Sequence, residues 1–231
     1  MLLPSLQPGI LLKRYKRFLA DIKLDNGSYI TAFCPNSGSM LTCKEPGSPV
    51  MVSYHDKPGR KHAYTWEMIK INDGWVGINT HRPNILVSEA IAGQQIPELA
   101  GYTNIRREVA YGANSRIDIL LEKPNQLCYV EVKNVTLVRH GIIEFPDAVT
   151  SRGTKHLNEL MEMVNQGHRA VMFYLVQRPD GDWFRPARDI DPVYAETLKK
   201  ATAHGVEMLV YRAAVTPEEI SITCPLKFNL E

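Results

Sequence analysis

The chain has 231 residues, 44% of them hydrophobic and 23% charged, with a net charge of +2. That is an ordinary soluble composition, long enough for a real core and between one domain and two. The longest uninterrupted apolar run, Ala170 to Val176, falls far short of the roughly 20 residues a membrane helix needs.

The first residues, MLLPSLQPGILLKRYKRF, place their charges after the apolar residues and interrupt them with Pro4 and Pro8, unlike a secretory leader. The cytoplasm is therefore the expected compartment, with no membrane partner. Cys34, Cys43, Cys128 and Cys224 form neither a CxxC pair nor a zinc-spaced cluster, so reduced and mostly buried thiols are expected.

From Gly9 to Thr80, short apolar runs alternate with turn signals: ILLKRYKRFLADIKL, YITAFC, PVMVSYHD, AYTWEMIKI and WVGINT. About five short strands joined by hairpin turns predict a small barrel of the OB type. Residues 1–82 hold 11 Lys and Arg against 6 Asp and Glu, net +5, whereas residues 83–231 are net −3. The first third is thus suited to face an anion, although a solvated surface can produce the same skew.

After Arg82-Pro83 the texture becomes mixed α/β. A short helix from Asn84 to Ala92 ends at Gly93, and strands follow at Asn104–Tyr111, Arg116–Leu121 and Cys128–Leu137. Thr150 or Ser151 caps a helix whose Leu157, Leu160, Met161 and Val164 recur at helical spacing. A buried strand at Ala170–Val176, a helix from Asp191-Pro192 to Gly205 and a strand at Val206–Tyr211 complete the reading.

Strand alternation places Tyr129, Glu131 and Lys133 on one face, and Arg116, Asp118 and Leu120 opposite Ile117, Ile119 and Leu121. If the short Lys123–Gln126 connection is a hairpin centred between Pro124 and Asn125, Asp118 stands across from Glu131 and Arg116 across from Lys133. Opposed carboxylates need compensation, from neighbouring cations or from a divalent metal such as Mg2+ or Mn2+. An amphipathic hairpin with a wet face is the ordinary alternative.

Asp118 followed by Glu131-Val132-Lys133 resembles the motif of the PD-(D/E)XK nuclease superfamily, with Ile117 in place of its proline. The longer blocks KRYKRFLAD, CPNSGSM, SRIDILLE, YVEVKNVTL and FPDAVTSRGTKHLNEL, together with the late HGVEMLVYRA, resemble the bacterial sugar fermentation stimulation protein A family over nearly the whole chain. Ser37 and Phe33 stand where the family's loop has Thr and His. The resemblance implies a two-domain α/β (α+β) fold, an OB-type barrel over residues 1–82 joined to a PD-(D/E)XK nuclease-like domain over 83–231. It also implies non-sequence-specific DNA binding and a role in regulating sugar use, in particular maltose metabolism.

On that reading Asp118 and Glu131 hold the metal and Lys133 sits beside the attacking water. Glu108 is a further candidate metal ligand, or a surface acid paired with Arg106 or Arg107. Arg152, Lys155, His156 and Glu159 share a helical face opposite the apolar stripe, where a phosphate or Asp147 could answer the basic first turn. Lys13, Arg14, Lys16 and Arg17 around Tyr15, ending at Phe18, form a basic and aromatic surface, which Arg60, Lys61, Tyr64, Trp66 and Trp75 extend unless those rings are barrel core. Asn36 and Ser37 bond either backbone or ligand.

The leading expectation is a DNA-binding protein, with RNA as an alternative ligand. An Mg2+- or Mn2+-dependent phosphodiesterase is the second reading, and a regulator acting through protein partners on an inactive nuclease scaffold is the third. No organic cofactor is expected, and self-association is left open.

Overall fold

The computed structural model describes every residue except those at positions 57, 60, 113 and 114. Six strands open the chain: β1 (Leu6–Tyr15), β2 (Leu19–Leu24), β3 (Tyr29–Phe33), β4 (Pro49–Tyr54), β5 (Tyr64–Ile71) and β6 (Gly74–Gly77). They pair in the order β3-β2-β1-β4-β5-β6, and a parallel bridge from Phe33 to Thr65 joins β3 to β5 and closes five of them into a barrel. The first run, expected as a single strand, is in fact the β1–β2 hairpin, because Ala20, Ile22 and Leu24 alternate inward only after the chain reverses. The fifth apolar run, β6, lies outside the closure as a hairpin extension of β5.

The barrel core gathers Leu11, Ile22, Val50, Val52 and Ile69 around a fully buried Trp66, whose indole N–H donates to the Met68 carbonyl at 2.9 Å. Trp66 is therefore interior, not part of a ligand surface. Glu67 is 3% exposed beneath the barrel, where Ser53 Oγ (2.6 Å), Asn79 Nδ2 (2.7 Å) and the Arg82 guanidinium (3.0 and 3.1 Å) all donate to it.

The second part starts with α1 (Pro83–Ala92), whose proline occupies the first turn, where no N–H is missed. Then come β7 (Asn104–Tyr111), β8 (Ser115–Lys123), β9 (Gln126–Val135), β10 (Leu137–Arg139) and β11 (Ile142–Phe145). Helix α2 (Ser151–Asn165), β12 (Arg169–Val176), β13 (Trp183–Pro186), α3 (Pro192–Ala203), β14 (Glu207–Val215), β15 (Ile220–Pro225) and β16 (Lys227–Phe228) follow. Thr150 caps α2 by accepting from the Gly153 N–H, and Asp191 caps α3 by accepting from Tyr194 while also accepting from the Thr150 N–H.

The main sheet runs β15-β14-β12-β9-β8-β7, parallel in its β9-β12-β14 centre. Helices α2 and α3 cover one face, packing Leu157, Leu160 and Leu198 on Met172 and Val176. Helix α1 covers the other, packing Leu86, Val87 and Ile91 on Ile119, Val130 and Phe173. A second small sheet, β10-β11-β13-β16, was not foreseen, because strands of two to four residues carry too little periodicity to read. Among the cysteines only Cys224 is exposed.

The two parts meet at buried polar contacts. Arg178, 2% exposed, grips Asp180 with two bonds of 2.6 Å and donates to the Thr42 hydroxyl and the Thr136 carbonyl. Asp147 accepts from the Met40 N–H at 2.7 Å, which ties the Cys34–Met40 loop of the barrel to the approach to α2. A Cβ at Gly38 would lie 2.5 Å from Asp147 Oδ1. Gly38→Ala is therefore expected to cost about 1–3 kcal/mol, read as a melting-temperature drop of roughly 2–4 °C per kcal/mol; an unchanged melting temperature would refute the tight contact.

Candidate metal and nucleic-acid site

The β8–β9 hairpin has the anticipated register. Lys123 pairs with Gln126 across Pro124-Asn125, and the ladder runs through Leu121–Cys128 to Ile119–Val130, one step short of Asp118 and Glu131. The backbone pairing ends there. Asp118 instead accepts from the Val132 N–H at 2.8 Å and from Asn84 Nδ2 at 2.7 Å. This departure breaks strand alternation: Ile119 and Leu121 pack under α1, but Ile117 packs with Leu120 on the α2 side, not with Ile119 as expected.

Glu131 is 1% exposed. Lys133 Nζ donates to its Oε1 at 2.6 Å, and His156 Nδ1 makes a short hydrogen bond to the same oxygen. Arg152 Nε donates to His156 Nε2 at 3.3 Å, and an arginine can only donate. The other Glu131 oxygen, Oε2, is buried and has no hydrogen-bond partner among the described residues.

Compensation for the acids therefore comes from Lys133 and His156, not from Arg116, which is exposed and pairs with Ala110 on β7. His156 was expected on a solvent-facing helical surface, but it is 4% exposed and belongs to the carboxylate cluster. The helical period places it correctly relative to Arg152; the buried stripe of α2 includes Leu157 and Leu160 as expected but is wide enough to take in Gly153 and His156 as well.

Electrostatics separate the two acids. Burial, followed by the Glu131 charge, pushes the Asp118 carboxyl up to about 6. Burial acts the same way on Glu131, but the Lys133 charge and the His156 bond outweigh it and hold that carboxyl below the usual range.

Glu108, exposed on β7, falls in the same row of the sheet, since Arg107–Ile119 and Val109–Ile117 pair on either side of the Glu108–Asp118 position. It adopts a left-handed φ of +54°, a strain that persists where surrounding structure imposes it. Asn84 Nδ2 lies 3.2 Å from its Oε1, so one amide bridges Glu108 and Asp118. Asn84 was read only as the start of a helix, and nothing in a single sequence marks a helix-start asparagine as an acid bridge.

Asn84, Asp118, Glu131, Lys133 and His156 lie in a cleft of about 650 Å³ between the barrel and the second domain. Asp118, Glu131 and Lys133 line it from the sheet side, Arg152 and His156 from α2, and Arg14, Arg17, Asn36, Ser37 and Lys44 from the barrel side. Lys44 was not anticipated. Arg14 donates to the carbonyls of Asn36 (2.9 Å) and Gly38 (2.8 Å), and Asn36 Oδ1 accepts from the Gly38 N–H, so both shape the loop from within.

Other candidates lie elsewhere. Lys13 and Tyr15 both bind Asp21, at 3.3 and 3.0 Å, and Lys16 is exposed at the hairpin tip. Lys155 lies 3.6 Å from Glu159 and, with Glu108 and Arg116, borders a second hollow that shares Arg152 and His156 with the cleft. Lys61 is exposed on the β4–β5 connection, and Arg60 lies outside the described residues.

Among the described residues, no three His, Cys, Asp or Glu side chains form a ready-made metal cluster. The two carboxylates of Asp118 and Glu131 nevertheless match the few protein oxygens that Mg2+ takes, and Glu131 Oε2, partnerless among the described residues, fits a cation.

Residues 12–78 match the model described as the SfsA N-terminal OB domain, and residues 81–219 match the sugar fermentation stimulation protein RE domain. The chain belongs to the sugar fermentation stimulation protein family. A homolog from Geotalea daltonii is 58% identical over 96% of each chain, one from Geobacter sulfurreducens 57% over 96%, and one from Rhodospirillum rubrum 56% over 94%. The solved SfsA of Pyrococcus furiosus, a complex with Ca2+, is 27% identical, superposes with a TM-score of 0.90 and covers 99% of this chain and 98% of its own. The family's architecture, an OB barrel followed by a mixed α/β domain, is thus the fold found here. Among the described residues, no helix is long and apolar enough to cross a membrane.

Proposed function

We propose that this family member binds nucleic-acid backbone in its interdomain cleft, with a divalent cation on Asp118 and Glu131. The observation that carries this reading is the buried, partnerless Glu131 Oε2 one register step beyond the last β8–β9 pair, beside Asp118. The Ca2+ held by the Pyrococcus furiosus relative supports a cation here. Arg17, Lys44 and Arg152 border the same cleft and supply charge for phosphates. A nucleic-acid ligand agrees with a cytoplasmic setting and with a regulator of sugar use, as the family's name suggests.

A second reading, phosphodiester hydrolysis, draws on Lys133. Bound between the acids, Mg2+ or Mn2+ would supply a polarised phosphate oxygen and a more acidic water. Lys133 Nζ, held 2.6 Å from Glu131 Oε1, stands beside that position to orient the water or to stabilise charge developing on the phosphorus oxygens. His156 keeps Glu131 turned so that Oε2 stays free, and Asn84 holds Asp118.

The test incubates single- and double-stranded DNA and RNA with the protein, with Mg2+, Mn2+ or chelator, beside Asp118→Ala and Lys133→Ala. Salt-sensitive binding is expected throughout. If hydrolysis occurs, Lys133→Ala should slow it by about 100- to 1,000-fold. Cation-dependent binding without cleavage retains the first reading alone, and absence of salt-sensitive binding refutes both.

A further inference from the structure

We propose that the tip of the β1–β2 hairpin, Lys16 to Phe18, is a stacking platform that recruits single-stranded nucleic acid at the mouth of the cleft. This rests on the backbone-binding reading above and adds the class of strand.

Phe18 is 45% exposed, and its ring stacks on Phe33 with centroids 6.5 Å apart and planes 15° from parallel. Phe33 backs the ring on one side and leaves the other open. The pair is fixed to the cleft, because the Phe18 carbonyl accepts from the Cys34 N–H at 2.7 Å and Cys34 opens the loop whose Asn36 to Ser39 segment lines the cleft. Arg17, next to Phe18, lines that cleft itself.

The backbone at the tip is strained. Lys16 and Arg17 have φ of +49° and +64°, and the Phe18 N–H donates to the Lys16 carbonyl at 2.8 Å around Arg17. That is the rare hand of γ-turn, and glycine or asparagine relieves such positions. Two long cations displayed there gain nothing in packing, since Lys16, Arg17 and Phe18 are all exposed. Residues that break a local rule without a packing gain are found where a ligand uses them.

An exposed phenyl face beside two cations matches a base and its phosphates. In a duplex the base faces are occupied by neighbouring base pairs, so only an unstacked base can lie on the ring. Lys16 and Arg17 then contact the flanking phosphates, and the strand continues along Arg17 toward Asp118 and Glu131. An apolar protein partner would bury the ring but leave the cations unanswered.

The experiment measures binding of the full chain, in chelator and at fixed salt, to a labelled oligothymidylate and to a duplex of equal length. Phe18→Ala should weaken oligothymidylate binding by about 5- to 100-fold and change duplex binding by less than about 2-fold. Phe18→Trp should restore it. Arg17→Ala should lower the slope of log affinity against log salt by about 0.7 on the single strand. Equal losses on both ligands, or no loss on the single strand, overturn the platform. Wild-type binding to duplex alone overturns the platform and leaves the cleft reading standing, whereas binding to neither ligand, both in chelator and with added Mg2+, overturns both.

Discussion

Asp118→Asn is expected to lower Mn2+ affinity by roughly 100-fold or more while making the metal-free protein more stable. The loss follows from replacing one of the two carboxylates by a neutral amide, at a position where Glu131 Oε2 lacks a partner among the described residues. The gain follows from the same geometry read without a cation. Asp118 and Glu131 are partly and fully buried next to one another, and burial together with the Glu131 charge pushes the Asp118 carboxyl up to about 6. Its ionised form is thus held at a cost, on the order of 1–3 kcal/mol at pH 7. Asparagine keeps an oxygen that can accept from the Val132 N–H. Titration calorimetry with Mn2+ and urea unfolding in chelator read the two effects separately. Unchanged Mn2+ binding would remove Asp118 from the site, and a large loss of stability in chelator would make it a structural acid.

Glu67→Gln should have the largest effect on stability. The wild-type carboxylate is 3% exposed and answered by Ser53, Asn79 and Arg82; the amide leaves the Arg82 guanidinium without its counter-charge at the junction of barrel and second domain. Breaking one partner of a buried ion pair costs about 3–5 kcal/mol, which is roughly 6–20 °C in melting temperature for a chain of this size.

The effect should depend on pH in a defined direction. Burial raises the Glu67 carboxyl, but the Arg82 bond and charge with the hydroxyl and amide donors outweigh burial and hold it below its usual 4.5. The folded state therefore binds this proton less readily than the unfolded state. Its contribution is full above about 4.5 and disappears as the pH falls through the lower folded value. Urea unfolding at neutral pH and near pH 3 should show the difference between wild type and Glu67→Gln shrinking in acid. A difference that is constant with pH would mean the amide acts through packing alone.

Several elements were legible because they depend on local chemistry. Thr150, one of the two expected caps, and Asp191 cap helices where caps were expected, and the first helix begins at Pro83, one residue before the expected Asn84. The β8–β9 register followed from the short Pro124-Asn125 turn, because a two-residue turn leaves little freedom in which residues face each other. The β1–β2 hairpin was hidden because nothing between Leu11 and Leu19 marks a turn: the chain reverses through Lys16 and Arg17, not glycine or asparagine. The strands of the small sheet were too short to show a period.

The amino-acid sequence by itself determined the family, the barrel followed by an α/β domain, and the β8–β9 register that stops one step short of Asp118 and Glu131, because turn residues, alternation and motif spacing are local properties. Only the tertiary structure decided which groups answer those acids. Arg116 was the expected neighbour by register, but the ladder stops at Ile119–Val130, and three-dimensional packing brings Lys133, His156 from α2 and Asn84 from α1 to the carboxylates. It also decided that Trp66 is core, that Arg14 braces a loop and that one oxygen of Glu131 is unpaired among the described residues. Periodicity gives the direction of a side chain relative to its own strand or helix, whereas its partners depend on how separate elements pack, and that is settled by burial of the whole core.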